Sequence, residues 1–426
     1  MRKQTFNIAK LLVFMLVATF ASCSEEMDSV EYPEFTSSHL RSYSEAIEIA
    51  QRGISMLEGN SGTRSENGTR RKIDMNGFKC VTSKPTRSGD VDTLLYVVNF
   101  EDNQGYAIVS ARRDVEGLLA VTESGTYDPL HKSENEGLNM FMDLASGYEF
   151  GPLIPIPGPE PTVVYHYCGP YITVRWGQRW PEGYFCLNGK SGCTITAMAQ
   201  ILSYFAYPTG IDLTYPDADL TYQALDWNSI KKHVYGTSAF NCDNHINSIC
   251  SASNDSHMTL ARLCRQLGKL AHTYYDNQGN PSNWGSYTYD DDARDALVEL
   301  GYIVNDSLTY SGQEIRHDLN NHHLILMFGG DSINNGNNNE YIDHSWVIDG
   351  YCHKEILMPM GIDGELIQTE QYYYNHINWG WNGLDNGYFL DGVWDVSQYE
   401  SLDSLSTHQQ YNFHKNLRYM NIKRSI

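Results

Sequence analysis

Lys190-Ser191-Gly192-Cys193-Thr194-Ile195-Thr196-Ala197-Met198-Ala199-Gln200 runs a glycine-containing loop into an amphipathic segment. The spacing of Ile195, Met198, Ala199, Leu202 and Phe205 predicts a core-facing helix from about 191 to 206. Cys193 stands at its start, where unpaired N–H groups and partial positive charge gather. A thiol held there is biased toward thiolate, the form that attacks a carbonyl carbon. The same position also suits a small buried apolar side chain. The rest of the chain has to choose between the two.

A nucleophilic thiol needs a base. His344, in Ile342-Asp343-His344-Ser345-Trp346-Val347-Ile348-Asp349, precedes an apolar strand, where a loop-edge imidazole can face a cleft. His322 and His323 also precede a strand, but nothing around them completes a site. Asn375-His376-Ile377-Asn378-Trp379-Gly380-Trp381-Asn382-Gly383 offers an amide to hold an imidazole and two tryptophans to shield it. It reads equally as a tight turn with core aromatics. Acyl transfer also needs donors aimed at the developing oxyanion. The backbone N–H of Cys193 is one, and Gln178 in Trp176-Gly177-Gln178-Arg179-Trp180-Pro181 can supply another.

The chain has 426 residues, enough for two or three domains with their own cores. Charged residues make up 19% and aromatics 12%, a globular composition. The net charge of −22 argues against nucleic acid as a partner. The nine cysteines are an odd number without C-x-x-C or zinc-ligand spacing, so no metal and no disulfide framework is implied. A Cys242–Cys250 bridge stays open. No organic cofactor is implied either.

The first 22 residues carry Arg2 and Lys3, then the apolar run Leu11–Phe20, too short to span a bilayer. Phe20-Ala21-Ser22-Cys23 and the acidic Ser24-Glu25-Glu26 resemble a bacterial lipoprotein signal with its export tag, in which Cys23 is acylated. An ordinary secretory signal is the alternative, and both predict export. The body is then expected to meet a membrane only through a lipid anchor.

Residues 23–150 read as one unit. A helix is expected over 44–54, with Ser42 and Glu45 spaced as a capping box. Leu94–Phe100 and Gly105–Ala111 read as a hairpin and Leu118–Val121 as a third strand. Nothing in this unit looks chemical. Residues 151–161 are proline-rich and mark a linker open to proteolysis. In 162–426, further helices are expected near 257–270 and 291–300. Strands follow at 324–328, 345–349 and 371–374, an α+β order.

The order Gln, Cys, His, Asn is that of papain-like cysteine peptidases, and within them the chain resembles the streptopain family. The matching segments are Trp176-Gly177-Gln178, Gly192-Cys193 with Thr196–Ile201, Tyr207-Pro208, Asp226-Trp227-Asn228, Trp346–Tyr351, Ile377–Trp381 and Asn386–Phe389. The hairpin around 97–110 resembles that family's inhibitory prodomain. The resemblance implies an α+β fold with a papain-like catalytic domain over 162–426 behind a small α+β prodomain. It implies Cys193 as nucleophile, His344 as general base and acid, and Gln178 as oxyanion donor. Asn378 and Trp379 would orient and cover His344, with Ser286 and Trp381 lining the substrate cleft. The partners it implies are protein or peptide substrates and the chain's own prodomain, as an intramolecular inhibitor.

Two departures stand out. Asp343 replaces the family's usual glycine before the histidine, and a carboxylate there would alter a substrate subsite. Asn382 replaces a glycine after Trp381. A catalytically silent, surface-binding lipoprotein and a transglutaminase-like acyl transferase are the alternative readings.

Overall fold

The computed structural model describes residues 39–63, 70–83, 91–131, 133–148, 161–212, 222–231, 255–275, 285–334, 339–360, 365–395 and 417–424. The leader with Cys23, the proline-rich residues 151–160 and the Cys242 and Cys250 pair lie outside the described residues. From Arg41 onward the chain forms one unit, distinct from residues 1–40.

The first half of that unit supplies α1 (Tyr43–Gly59), β1 (Ile73–Thr82), β2 (Thr93–Phe100), β3 (Tyr106–Ser110), β4 (Leu118–Thr122) and α2 (Glu136–Ser146). The expected capping box forms at α1, where Ser42 and Glu45 satisfy each other's backbone N–H. The hairpin turn after Phe100 places Asp102 and Asn103 at positive φ, which short polar side chains tolerate. Helix α2 was not expected. Gly137 and Asn139 dilute its pattern, and Asn135 caps it by accepting from Leu138 N–H at 3.1 Å.

The second half runs β5 (Thr162–Cys168), α3 (Cys193–Phe205), β6 (Gly210–Asp212), β7 (Tyr222–Ala224), α4 (Trp227–Ile230), α5 (Asp255–Leu270), β8 (Tyr274–Tyr275) and β9 (Ser286–Tyr287). It continues with α6 (Asp290–Glu299), β10 (Tyr302–Val304), β11 (Leu308–Thr309), α7 (Gly312–Asn320), β12 (Leu324–Asn334), β13 (Asn339–Met360), β14 (Glu365–Asn378), β15 (Gly387–Leu390) and β16 (Arg418–Arg424). The expected helices fall within a few residues of α3, α5 and α6. The later strands run much longer than their apolar cores suggested, because polar ends stay paired beyond them.

The architecture is α+β around a large antiparallel sheet of order β1-β2-β3-β4-β15-β14-β13-β12-β16-β10. Strands β4 and β15 pair through Thr122–Gly387, Val121–Tyr388 and Ala120–Phe389. The segments on either side of the proline-rich stretch therefore share one sheet.

Strand periodicity sorts the core into two layers. Leu324, Leu326, Val347, Met420 and Ile422 pack with α3, α5 and α6. Ile325, Met327, Trp346, Ile348 and Tyr419 pack on the other face with α1 and α2. Helix α3 is buried at every position from Thr194 to Ser203, so its geometry is fixed along its whole length. Among the described residues no helix is long and apolar enough to cross a membrane.

Candidate active site

Gly192 opens α3 at φ +92, a region that favours glycine. A Cβ there would also stand 2.9 Å from Ser286 Cβ, so glycine is required twice over. The loop ahead of it is held from two sides. Ser191 donates its N–H to the Gln178 carbonyl at 2.7 Å and its hydroxyl to the same oxygen at 3.2 Å. Asn188 donates to Ser286 Oγ at 3.2 Å, and that hydroxyl donates to the Lys190 carbonyl at 3.4 Å. Gln178 and Ser286 are thus both gathered at the approach to Cys193. Farther along α3, Thr196 Oγ1 donates to Gly177 O at 3.1 Å and Gln200 Nε2 to Trp176 O at 3.2 Å. The Trp176-Gly177-Gln178 strip is riveted to the helix that carries the thiol.

Strand β13 meets the start of α3 at Ser345. Its hydroxyl pairs with Thr194 Oγ1 at 2.9 Å, and its backbone N–H faces the Cys193 thiol. His344, one residue earlier, is 2% exposed and turns toward the opposite layer. It stacks near Trp346 (centroids 6.1 Å, 18°) and Trp381 (6.5 Å, 29°), with Trp379 at 6.4 Å. Its Nε2–H donates to the Trp379 carbonyl at 3.2 Å, which leaves the lone pair on Nδ1. Among the described residues no hydrogen bond joins Cys193 to His344.

Asn378 departs from expectation. Its amide donates to the Val174 carbonyl at 3.1 Å and accepts from Gln200 Nε2 at 3.0 Å and Gly380 N–H at 3.2 Å. Both ends are committed, so the carbonyl of Trp379 holds the imidazole and Asn378 fixes the turn that presents it. The Trp379 indole N–H donates to the Asp385 carbonyl at 3.0 Å, which sets the ring. Asp343 pairs with Gly330 in the β12–β13 ladder, and its side chain lies outside the described residues.

The N-terminus of α2 lies on this site, although its sequence showed no chemistry. A Cβ added to Gly137 would sit 2.8 Å from His344 Cδ2 and closer still to the Trp379 ring. Glu136 beside it acts electrostatically on both Cys193 and His344. Burial pushes the Cys193 thiol up, the Ser345 N–H opposes this, and Glu136 adds to it. Burial also lowers the His344 imidazole to about 4, against Glu136 and the Trp379 carbonyl, which favour its cation. Burial thus works against charge on both the Cys193 thiol and the His344 imidazole.

Two buried charge clusters hold the same two segments together. Glu123, after β4, meets His376 Nε2 at 2.7 Å and Arg175 at 3.1 Å, while Asp349 takes His376 Nδ1 at 2.5 Å. Burial alone would depress His376, but Asp349 and then Glu123 raise it to about 10. Glu116 pairs with Lys354 at 2.8 Å. The Glu123–His376 and Glu116–Lys354 pairs were not legible in the sequence, because each joins residues more than two hundred positions apart.

The peptidase C10 family model matches residues 175–389, and the Spi protease inhibitor model matches residues 38–147. A solved prointerpain A fragment from Prevotella intermedia is similar at 19% identity and a TM-score of 0.45, over 81% of this chain and 98% of that one. None of the curated protein sequences matches.

Proposed function

The chain belongs to the peptidase C10 family, and from that premise we propose an exported cysteine endopeptidase made as a zymogen. The observation that carries this reading is the placement of Gly137 and Glu136, from the inhibitor-like segment, against His344 and Cys193. Residues 1–22 act as a lipoprotein signal and Cys23 as the acylation site. Residues 23–150 form the inhibitory unit, 151–161 the linker to be cut, and 162–426 the catalytic domain, retained at the cell surface or released.

Activation removes the inhibitory unit and readmits water and substrate to the dyad. His344 Nδ1 then takes the thiol proton, and Cys193 Sγ attacks the scissile carbonyl carbon. The oxyanion that forms is met by the Cys193 N–H, at a helix start with no side-chain cap, and by Gln178. The imidazolium returns its proton to the leaving amine, which leaves a thioester. Water, deprotonated by His344, releases the acid and restores the thiol. Ser286, Trp381 and Asp343 border the substrate cleft.

The test is incubation of the processed chain with a denatured protein under reducing conditions. Cleavage is expected, with loss in Cys193→Ala and His344→Ala and block by a thiol alkylator. Absence of cleavage by a chain shown by mass spectrometry to begin between 150 and 170 overturns the reading.

A further inference from the structure

Asp385 sits in the turn between β14 and β15, 7% exposed and at φ +59. Its side chain faces the inhibitory unit. The Tyr106 hydroxyl, from β3, donates to Oδ1 at 3.1 Å, and the buried Asn135 amide at the cap of α2 acts on the carboxyl without a formed hydrogen bond. Gly125 crosses so closely that a Cβ there would be 2.8 Å from Oδ1. On the catalytic side its carbonyl takes the indole N–H of Trp379, the residue whose own carbonyl holds His344. The groups around the carboxyl have no charge to offer it. Tyr106 and Tyr127, with rings 5.8 Å apart, are neutral phenols and Asn135 is neutral. Glu123 and Arg175 nearby are paired with one another, and Glu136 is itself an acid. Among the described residues no cation bonds Asp385.

We propose that Asp385 is a proton-linked anchor of the inhibitory segment, gripping it through the Tyr106 hydroxyl beside the Asn135 cap of α2 and loosening it when the buried carboxyl is ionised. The proposal rests on reading residues 133–147 as inhibitory. A carboxylate sealed from water with one neutral donor bonded to it is stabilised less than one left in water. Burial accordingly raises Asp385 to about 6, against Tyr106 and Asn135. The sign follows from linkage. The closed state binds the proton more tightly than the opened state, so closure is favoured at low pH and weakens as pH rises through about 6. Between pH 5 and 7 the opening equilibrium shifts by about tenfold for such a group.

The experiment uses the full chain carrying Cys193→Ala, which cannot process itself, and reads hydrogen–deuterium exchange of residues 133–147 at pH 5 to 7.5, corrected for intrinsic exchange. Protection is expected to fall about tenfold across that range. Asp385→Asn, isosteric and tolerant of positive φ, should flatten the profile and protect the segment better at pH 7. Tyr106→Phe, which alters only the inhibitory unit, should increase opening at pH 7 and leave pH 5 unchanged. An unchanged slope in Asp385→Asn, or greater opening of that variant at pH 7, overturns the proposal. Because exchange is read and not cleavage, a chain without peptidase activity reports the anchor equally well.

Discussion

Gly137 packs on His344 with no room for a side chain, since a Cβ at 137 would stand 2.8 Å from the imidazole. A helix from one segment of the chain thus shapes itself around the imidazole of another. Gly137→Ala should overpack this contact at about 1–3 kcal/mol. The full chain should then open more readily, raising the rate of Cys193 alkylation at least tenfold by peptide mass spectrometry. An unchanged rate would show that α2 does not control access.

Glu123 is buried against His376 and Arg175. Glu123→Gln leaves Arg175 without its carboxylate and His376 with Asp349 alone, and should destabilise the full chain by about 3–5 kcal/mol in urea titration.

His376 gives that cluster a pH signature. Its folded pKa of about 10 lies above the ordinary imidazole value. Its contribution is therefore complete below about pH 6.5 and is lost as pH rises through 10. The unfolding midpoint of the Cys193→Ala chain should decline from pH 7 to 10, and Glu123→Gln should decline less.

Asn378 acts through Gln200, Gly380 and Val174 and makes no bond to His344. Asn378→Ala should cost about 1–3 kcal/mol of stability from the buried groups left unpaired. It should lower kcat of the processed enzyme while leaving the pH profile of kcat/KM in place. A displaced pH profile would return Asn378 to direct contact with the imidazole.

Gly192→Ala meets both a positive φ and the Ser286 Cβ. It should shift the start of α3 and reduce turnover at least tenfold while the remaining helices persist by circular dichroism.

Much of the local structure was legible because it is written locally. Ser42 and Glu45 announce the start of α1, and the apolar spacing of Ile195, Met198 and Leu202 announces α3. The segments around Gln178, Asn378 and Ser345 are each tied to α3 or to the loop ahead of it, through Ser191, Gln200 and Thr194. What escaped depends on chain crossings. Gly137 and Asn139 conceal α2, and its approach to His344 joins positions two hundred residues apart. In the sequence Asn378 reads as the partner of the imidazole, because an amide next to tryptophans can hold one. The competing partner, Gln200, sits on the buried face of α3 and claims the same oxygen. Asp385 gave no signal, since a carboxyl among turn residues reads as solvated until the opposite surface is in place.

The pairing of β4 with β15 carries a cost beyond inhibition. Excision of residues 41–148 would strip Gly387–Phe389 of their outer neighbours and turn an interior strand into a bare border with free amides and carbonyls. Such a border recruits any extended backbone that drifts past, including another copy's. The liberated enzyme therefore gains its cleft and a self-adhesive seam in the same event, and its shelf life should shorten with concentration.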